Sequence, residues 1–281
     1  MAGPVIVTGV SAGIGRATAK AFAAAGASVA LVARRADRVH ALEEEITSAG
    51  GHALAVPADV TAPGAAKQIV SRVEKELGPV DVLVNNAGKS RISPLDQEDE
   101  ELEYWWQVFE LNVKAPVALM RAVLPSMMER KTGILMTVSS GVASMRLPVM
   151  SAYSSSKAAI TKVHESLMPE LEGTGILSFA VSPGMVMSEL GTADNAINKD
   201  AMEHPAMKAF LGHIGGTRQF ADDQLPADFM VALAAEPRAK VLHGKYTSAT
   251  QDLETVIAEA EKEGEGRIGK EKLYQVNIGS L

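Results

Sequence analysis

The chain has 281 residues, 47% of them apolar, carries a formal net charge of −7 and contains no cysteine. That size fits one α/β domain with extensions, and the acidic balance without a basic run argues against nucleic acid or another polyanion as the main partner. Neither a disulfide framework nor a thiolate nucleophile can form. The six histidines, His40, His52, His164, His204, His213 and His243, lack ligand-type spacing, so no protein-built metal site is expected.

The first strand-like run, Pro4–Thr8, starts so early that no signal or transit peptide is expected. With no apolar run of transmembrane length, a cytoplasmic protein is the default expectation. Val5-Ile6-Val7 reads as a short buried parallel strand. It runs into Thr8-Gly9-Val10-Ser11-Ala12-Gly13-Ile14-Gly15, and a helix follows with Ala17, Ala21, Phe22 and Ala25 on its apolar face, ended by Gly26. Strand, glycine-rich turn and helix are the context a dinucleotide site needs. Gly9 permits the tight turn, Gly13 and Gly15 allow close backbone approach to a pyrophosphate, and the helix N-terminus offers free N–H groups. The spacing is Gly-x-x-x-Gly-x-Gly rather than Gly-x-Gly-x-x-Gly, and such a segment also serves as a plain turn.

Ser28–Ala33 reads as the second strand and ends in Arg34-Arg35. In a doubly wound sheet this end meets the adenosine ribose, where a carboxylate selects a 2′-hydroxyl. Two guanidiniums there favour a phosphate instead and point to NADP(H) over NAD(H). The bland alternative is a solvated charge cluster opening the helix Arg38–Ser48, with Asp37 neutralising one Arg. His52–Pro57 reads as the third strand, followed by Ala58-Asp59-Val60. Asp59 either meets an adenine amino group or caps the helix expected near Ala65–Leu77.

Val80–Val84 reads as a fourth strand and leads to Asn85-Asn86-Ala87-Gly88, either a turn or a place of close backbone approach to a ligand. Leu95–Glu110 is expected to be helical, with Trp105 and Trp106 packed inward. Leu111-Asn112-Val113 then interrupts, and Ala115–Arg130 resumes as helix. Asn112 is a poor mid-helix residue, which leaves a functional kink or a surface asparagine. Gly133–Val138, followed by Ser139-Ser140-Gly141, reads as the fifth strand. A helix from Tyr153 to about Glu172 carries Tyr153 and Lys157 four residues apart, on one face. Phenol is a weak acid, with a pKa of about 10, and a neighbouring ammonium is expected to lower it. Ile176–Val181 is the sixth strand, followed by Pro183-Gly184-Met185-Val186-Met187-Ser188.

Residues 189–226 break the rhythm and hold Met202, Met207, Phe210 and Leu211, which suit an apolar substrate loop or a loosely packed surface subdomain. Leu225–Ala235 reads as helix, Gly244–Ser248 as a candidate seventh strand and Asp252–Glu263 as an acidic helix within a C-terminal helical extension over about 250–281. The β-α alternation predicts one domain over 1–281, a doubly wound parallel sheet of about seven strands with helices on both faces.

These motifs resemble the classical short-chain dehydrogenase/reductases, well over residues 4–190 and weakly beyond. Thr8-Gly9-x-x-x-Gly13-Ile14-Gly15 is similar to that family's cofactor turn, Asn85-Asn86-Ala87-Gly88 to its second signature, and Pro183-Gly184-x-Val186-x-Ser188 to its nicotinamide segment. Asn112, Ser140, Tyr153 and Lys157 fall where the family places its catalytic tetrad. Ser188 replaces the usual Thr, and Leu242–Tyr246 departs from bacterial members toward fungal ones. The resemblance implies a Rossmann-type fold and hydride exchange between NADP(H) and a ketone, aldehyde or secondary alcohol. In it Ser140 holds the substrate oxygen, Tyr153 moves the proton, Lys157 holds the nicotinamide ribose and lowers the Tyr153 pKa, and Asn112 positions a water. The implied cofactor contacts are Gly9, Ser11, Gly13, Ile14, Gly15, Arg34, Arg35, Asp59, Val60, Asn86, Ala87, Gly88, Tyr153, Lys157, Pro183, Gly184, Val186 and Ser188. It also implies a homodimer or homotetramer through helices around 100–130 and 153–172. A catalytically silent NADP-binding regulator and an isomerase or dehydratase on the same fold remain alternatives.

Overall fold

In the computed structural model, residues 3–186, 189–191, 196–213 and 220–262 are described. Strands β1 (Pro4–Thr8), β2 (Ser28–Ala33), β3 (His52–Pro57), β4 (Val82–Asn85), β5 (Gly133–Val138), β6 (Ile176–Ser182) and β7 (Tyr246–Ser248) form a seven-stranded sheet of order β3-β2-β1-β4-β5-β6-β7. Every neighbouring pair is parallel, with Val7 of β1 in register with Leu31 on one side and Val84 on the other.

Alternation along each strand sends successive side chains to opposite faces. Val5 and Val7 join Phe22, Leu31, Met136 and Phe179 in one apolar cluster, while Ile6 joins Leu83, Leu135, Leu119 and Ile160 in the other. Both faces are therefore covered, which is why the strands read as continuous apolar runs. Helices α1 (Gly13–Ala24) and α2 (Ala36–Ser48) cover the first face, and α3 (Ala65–Leu77), α4 (Glu103–Phe109), α5 (Ala115–Arg130) and α6 (Ser151–Glu170) follow in the chain, with α3, α5 and α6 on the second. Beyond β6 come α7 (Pro205–His213), α8 (Gln224–Ala235) and α9 (Leu253–Ala260). Phe229 of α8 and Ile257 of α9 complete the first cluster. The strand order reverses between β1 and β4, which opens a crevice at their C-terminal ends.

The long helix expected over 95–110 is shorter than its composition suggests. Leu95–Gln97 forms a 3-10 turn, and α4 starts only at Glu103. Asp99 causes the delay, because its carboxylate accepts from the Glu103 and Tyr104 N–H groups, at 2.6 and 3.4 Å, and so starts the helix there. The inward packing expected of both tryptophans is corrected as well. Trp105 stacks on Phe109 at 4.8 Å, whereas Trp106 is 56% exposed, since adjacent helical residues point about 100° apart. The expected helix over 252–263 is observed as Leu253–Ala260, and residues from 263 onward lie outside the described part. No helix among the described residues is long and apolar enough to cross a membrane, and no acidic, histidine or cysteine cluster among them could hold a metal.

Candidate active site

The crevice above β1 and β4 has a volume of about 1280 Å³. Its floor is built by mutual packing of the two glycine-bearing turns. Asn86 Nδ2 donates to the carbonyls of Thr8 and Gly9, at 2.9 and 3.3 Å, and Thr8 Oγ1 accepts from the N–H groups of Asn86 and Ala87, both at 3.0 Å. A Cβ on Gly9 would lie 2.7 Å from Asn86 Nδ2, and Gly9 has φ +74°. A Cβ on Gly15 would lie 2.4 Å from the Gly9 carbonyl oxygen. Gly15 thus serves the packing of the turn, and Asn86 braces it rather than facing outward. Helix α1 begins at Gly13 with Ala12 as N-cap, with neither a capping side chain nor an acid in its first turn. Its leading N–H groups are left for an anion, so the turn fits the pyrophosphate of a dinucleotide.

One end of the crevice is charged and open. Arg34 and Arg35 follow β2 and line it together with Arg38, Asp59 and Val60. Arg35 Nη2 donates to Ser11 Oγ at 2.7 Å and to Glu189 Oε2 at 2.9 Å. Arg38 Nη1 donates to Glu189 Oε1 at 2.9 Å. Asp59 Oδ1 accepts from the N–H and hydroxyl of Thr61, at 2.9 and 2.7 Å. Burial pushes the Asp59 carboxyl up, but the Thr61 bonds and the Arg34 charge outweigh it and hold the group below its ordinary value. Asp59 therefore closes its own turn, and Gly64 stands at the N-cap of α3.

The other end is buried. Asn112 lies in a π-helical turn, Glu110–Lys114, between α4 and α5, an arrangement common at functional sites. The asparagine is buried and fully engaged. Its Oδ1 accepts from the Lys89 N–H at 2.8 Å, and its Nδ2 donates to the Lys89 carbonyl and to Ser156 Oγ, both at 2.9 Å. Ser140 lies two residues beyond β5 as the N-cap of a 3-10 turn, Gly141–Ala143, and its hydroxyl is hydrogen-bonded to that of Tyr153. Lys157 is 4% exposed, and its Nζ donates to the Val138 carbonyl at 2.8 Å. Burial alone lowers the lysine to about 8.

The lowered phenol pKa expected for Tyr153 is not what this geometry produces. Burial pushes it above its ordinary value, the Ser140 bond lowers it less, and Tyr246 adds to the rise. The Lys157 ammonium is directed at the Val138 carbonyl and stands 5.8 Å from the centre of the Tyr153 ring, so burial decides the direction.

Pro183, Gly184 and Val186 line the crevice beside Met185, Leu190 and Phe220. Gly184 has φ +80°, and Val186 is bridged to Ala221. Ser188 lies outside the described residues. The other expected site residues, Ile14, Ala87 and Gly88 among them, border this crevice except Asn112, which is buried behind its lining. Arg38, Glu189, Lys89, Ser156 and Tyr246 were not foreseen. Only Arg38 left a trace in the sequence, one helical turn beyond Arg34-Arg35. Lys89 Nζ donates to Gln107 Oε1 at 2.5 Å and lies 3.8 Å from the Tyr104 ring centre, a contact no local pattern announces.

A family profile described as short chain dehydrogenase matches residues 4–199. The chain is 57% identical over 276 residues to a short chain dehydrogenase of Pseudocercospora fijiensis, covering 98% of this chain and 89% of that protein. It is 39% identical over 178 residues to a fatty acyl-CoA reductase of Mycobacterium tuberculosis, covering 62% of this chain and 60% of that one. Among solved structures, a 7α-hydroxysteroid dehydrogenase complexed with NADH and 7-oxoglycochenodeoxycholic acid superposes with a TM-score of 0.75 at 28% identity, covering 88% of this chain and 92% of that one. An NAD(P)-dependent gluconate 5-dehydrogenase from Beutenbergia cavernae, itself described as putative and carrying NADP at low occupancy, gives the same TM-score and identity over 88% and 94%.

Proposed function

The chain belongs to the short-chain dehydrogenase family of oxidoreductases, and from that premise we propose that it is an NADP(H)-dependent enzyme reducing a moderately hydrophobic ketone or aldehyde to an alcohol. The observation that carries this reading is the sharing of one crevice by the glycine turn, the arginines after β2, and Ser140, Tyr153 and Lys157. Arg34, Arg35 and Arg38 would hold the 2′-phosphate, the α1 N-terminus the pyrophosphate, and Lys157 the nicotinamide ribose. The bound nicotinamide would supply the hydride.

The protein's own groups have complementary work. Ser140 hydrogen-bonds the substrate oxygen and keeps it beside Tyr153. Tyr153 protonates that oxygen as negative charge develops on it. A phenol raised by burial stays protonated at neutral pH, which suits a donor in the reductive direction. Lys157, lowered to about 8, can take up and release a proton near neutrality. Asn112 fixes the π-helical turn behind it through Ser156 and Lys89. Met185, Leu190 and Phe220 give the crevice an apolar wall suited to a hydrophobic carbonyl compound.

A homo-oligomer belongs to the same proposal, supported by an apolar groove on α5 and α6 lined by Val117, Leu124, Met128, Val163 and Leu167. A cytoplasmic location suits a cysteine-free chain. The test is a panel of ketones and aldehydes assayed by loss of NADPH absorbance, with NADH in parallel. Turnover that prefers NADPH supports the reading, and no oxidation with any carbonyl rejects it. Light scattering tests the oligomer, and a monomer at working concentration rejects that part.

A further inference from the structure

Glu189 reaches the charged end of the crevice from 154 residues beyond Arg35 in the chain. Its two carboxylate oxygens are divided between two guanidiniums, Oε2 on Arg35 and Oε1 on Arg38, each at 2.9 Å. The same guanidiniums hold the glycine turn, Arg35 through Ser11 Oγ at 2.7 Å and Arg38 through the Ser11 carbonyl at 3.5 Å. The next residue is anchored to the segment after β4, where Ser90 Oγ donates to the Leu190 carbonyl at 2.9 Å. Residues 189–190 thus form a strap tied to the arginines at the start of α2 and to Ser90 after β4.

An anion held by two guanidiniums has the donor set that a phosphate monoester would use. We propose that Glu189 is a specificity-determining residue of the cofactor site, an internal anion that occupies Arg35 and Arg38 and competes with the 2′-phosphate of an adenosine cofactor. The inference rests on the NADP(H) reading and deepens it. A cofactor with a free 2′-hydroxyl has no need of these donors and meets no competition. Glu189 therefore narrows the preference that the arginines alone would give, and arrival of the 2′-phosphate frees this end of the strap. The carboxylate charge is secure near neutrality, because its bonds to Arg38 and then Arg35 hold the group below its ordinary value.

The test is calorimetric titration of the full chain with adenosine 2′,5′-bisphosphate and adenosine 5′-monophosphate, for wild type and Glu189→Gln. Exposed ion pairs are individually weak, so losing one competitor that makes two of them should tighten the bisphosphate about three- to tenfold and change the monophosphate by less than about twofold. An equal bisphosphate preference in both proteins overturns the competition while leaving the NADP(H) reading intact. Weaker bisphosphate binding in the variant also overturns it, since Glu189 would then be orienting the arginines. Tightening of both ligands alike assigns the effect to general opening of the strap and overturns it too. No discrimination by either protein removes both the competition and the phosphate reading beneath it.

Discussion

The two ends of the crevice solve opposite problems. At and behind the buried end, Asn112, Ser156 and Lys157 are each committed to a neighbour through their polar atoms. At the charged end, Arg35, Arg38 and Glu189 have side chains 42%, 44% and 52% exposed, and their bonds are ion pairs in contact with solvent. Leaving a buried polar group unsatisfied costs about 1–3 kcal/mol, whereas an exposed ion pair contributes about 0.2–1 kcal/mol. The buried end is therefore held in one geometry, and the exposed end can exchange partners. Chemistry needs the first property, and cofactor choice can be tuned through the second.

The contrast is tested most severely by Lys157→Met. It should lower kcat/KM about 10²–10³-fold, the scale for removing a charged group from a preorganised site. The same variant carries a stability signature. Lys157 titrates at about 8 in the fold and near 10.5 ordinarily, so between these values the unfolded chain binds more protons than the native one. Stability then rises with pH across that window, and below it the cost of burying the ammonium is fully present. Thermal unfolding from pH 7.5 to 10.5 should show this rise in wild type but not in Lys157→Met. Identical pH profiles would remove the buried ammonium from the account.

Asn112→Leu should cost about 1–3 kcal/mol in urea unfolding, because the Lys89 N–H and carbonyl and Ser156 Oγ lose their partner in a buried place. An effect under about 0.5 kcal/mol would place that cluster with the adjustable end. Arg35→Ala should be the mildest change, with the preference for NADPH over NADH falling about three- to tenfold and the loss shrinking as salt rises. Stability should hardly move. A large loss of stability would show that the exposed end is structural after all.

The same contrast governs what the sequence discloses. Strand ends were legible because apolar runs such as Val29–Ala33 stop at polar or charged residues, and the sheet then places all those stops at one edge. Asn112 was legible as an anomaly in a helix, but its partners were not, since Lys89 and Ser156 come from other elements. Arg35 and Glu189 are 154 positions apart, and an ion pair over that separation leaves no periodicity to read. The direction of the Tyr153 shift is hidden from the sequence for a related reason. Spacing puts Tyr153 and Lys157 on one face, but burial and the reach of Lys157 Nζ to Val138 are tertiary facts. The late start of α4 came from Asp99, which composition alone could not separate from its acidic neighbours.

The central claim is that Tyr153 delivers the proton in a crevice whose far end independently holds the cofactor. Its most direct measurement is Tyr153→Phe, with NADPH affinity read by fluorescence titration and turnover by NADPH absorbance on a carbonyl that wild type reduces. Turnover should fall by about 10²–10⁴-fold while the NADPH dissociation constant stays within about twofold of wild type. Retained turnover, or turnover lost only in step with NADPH binding, would contradict it.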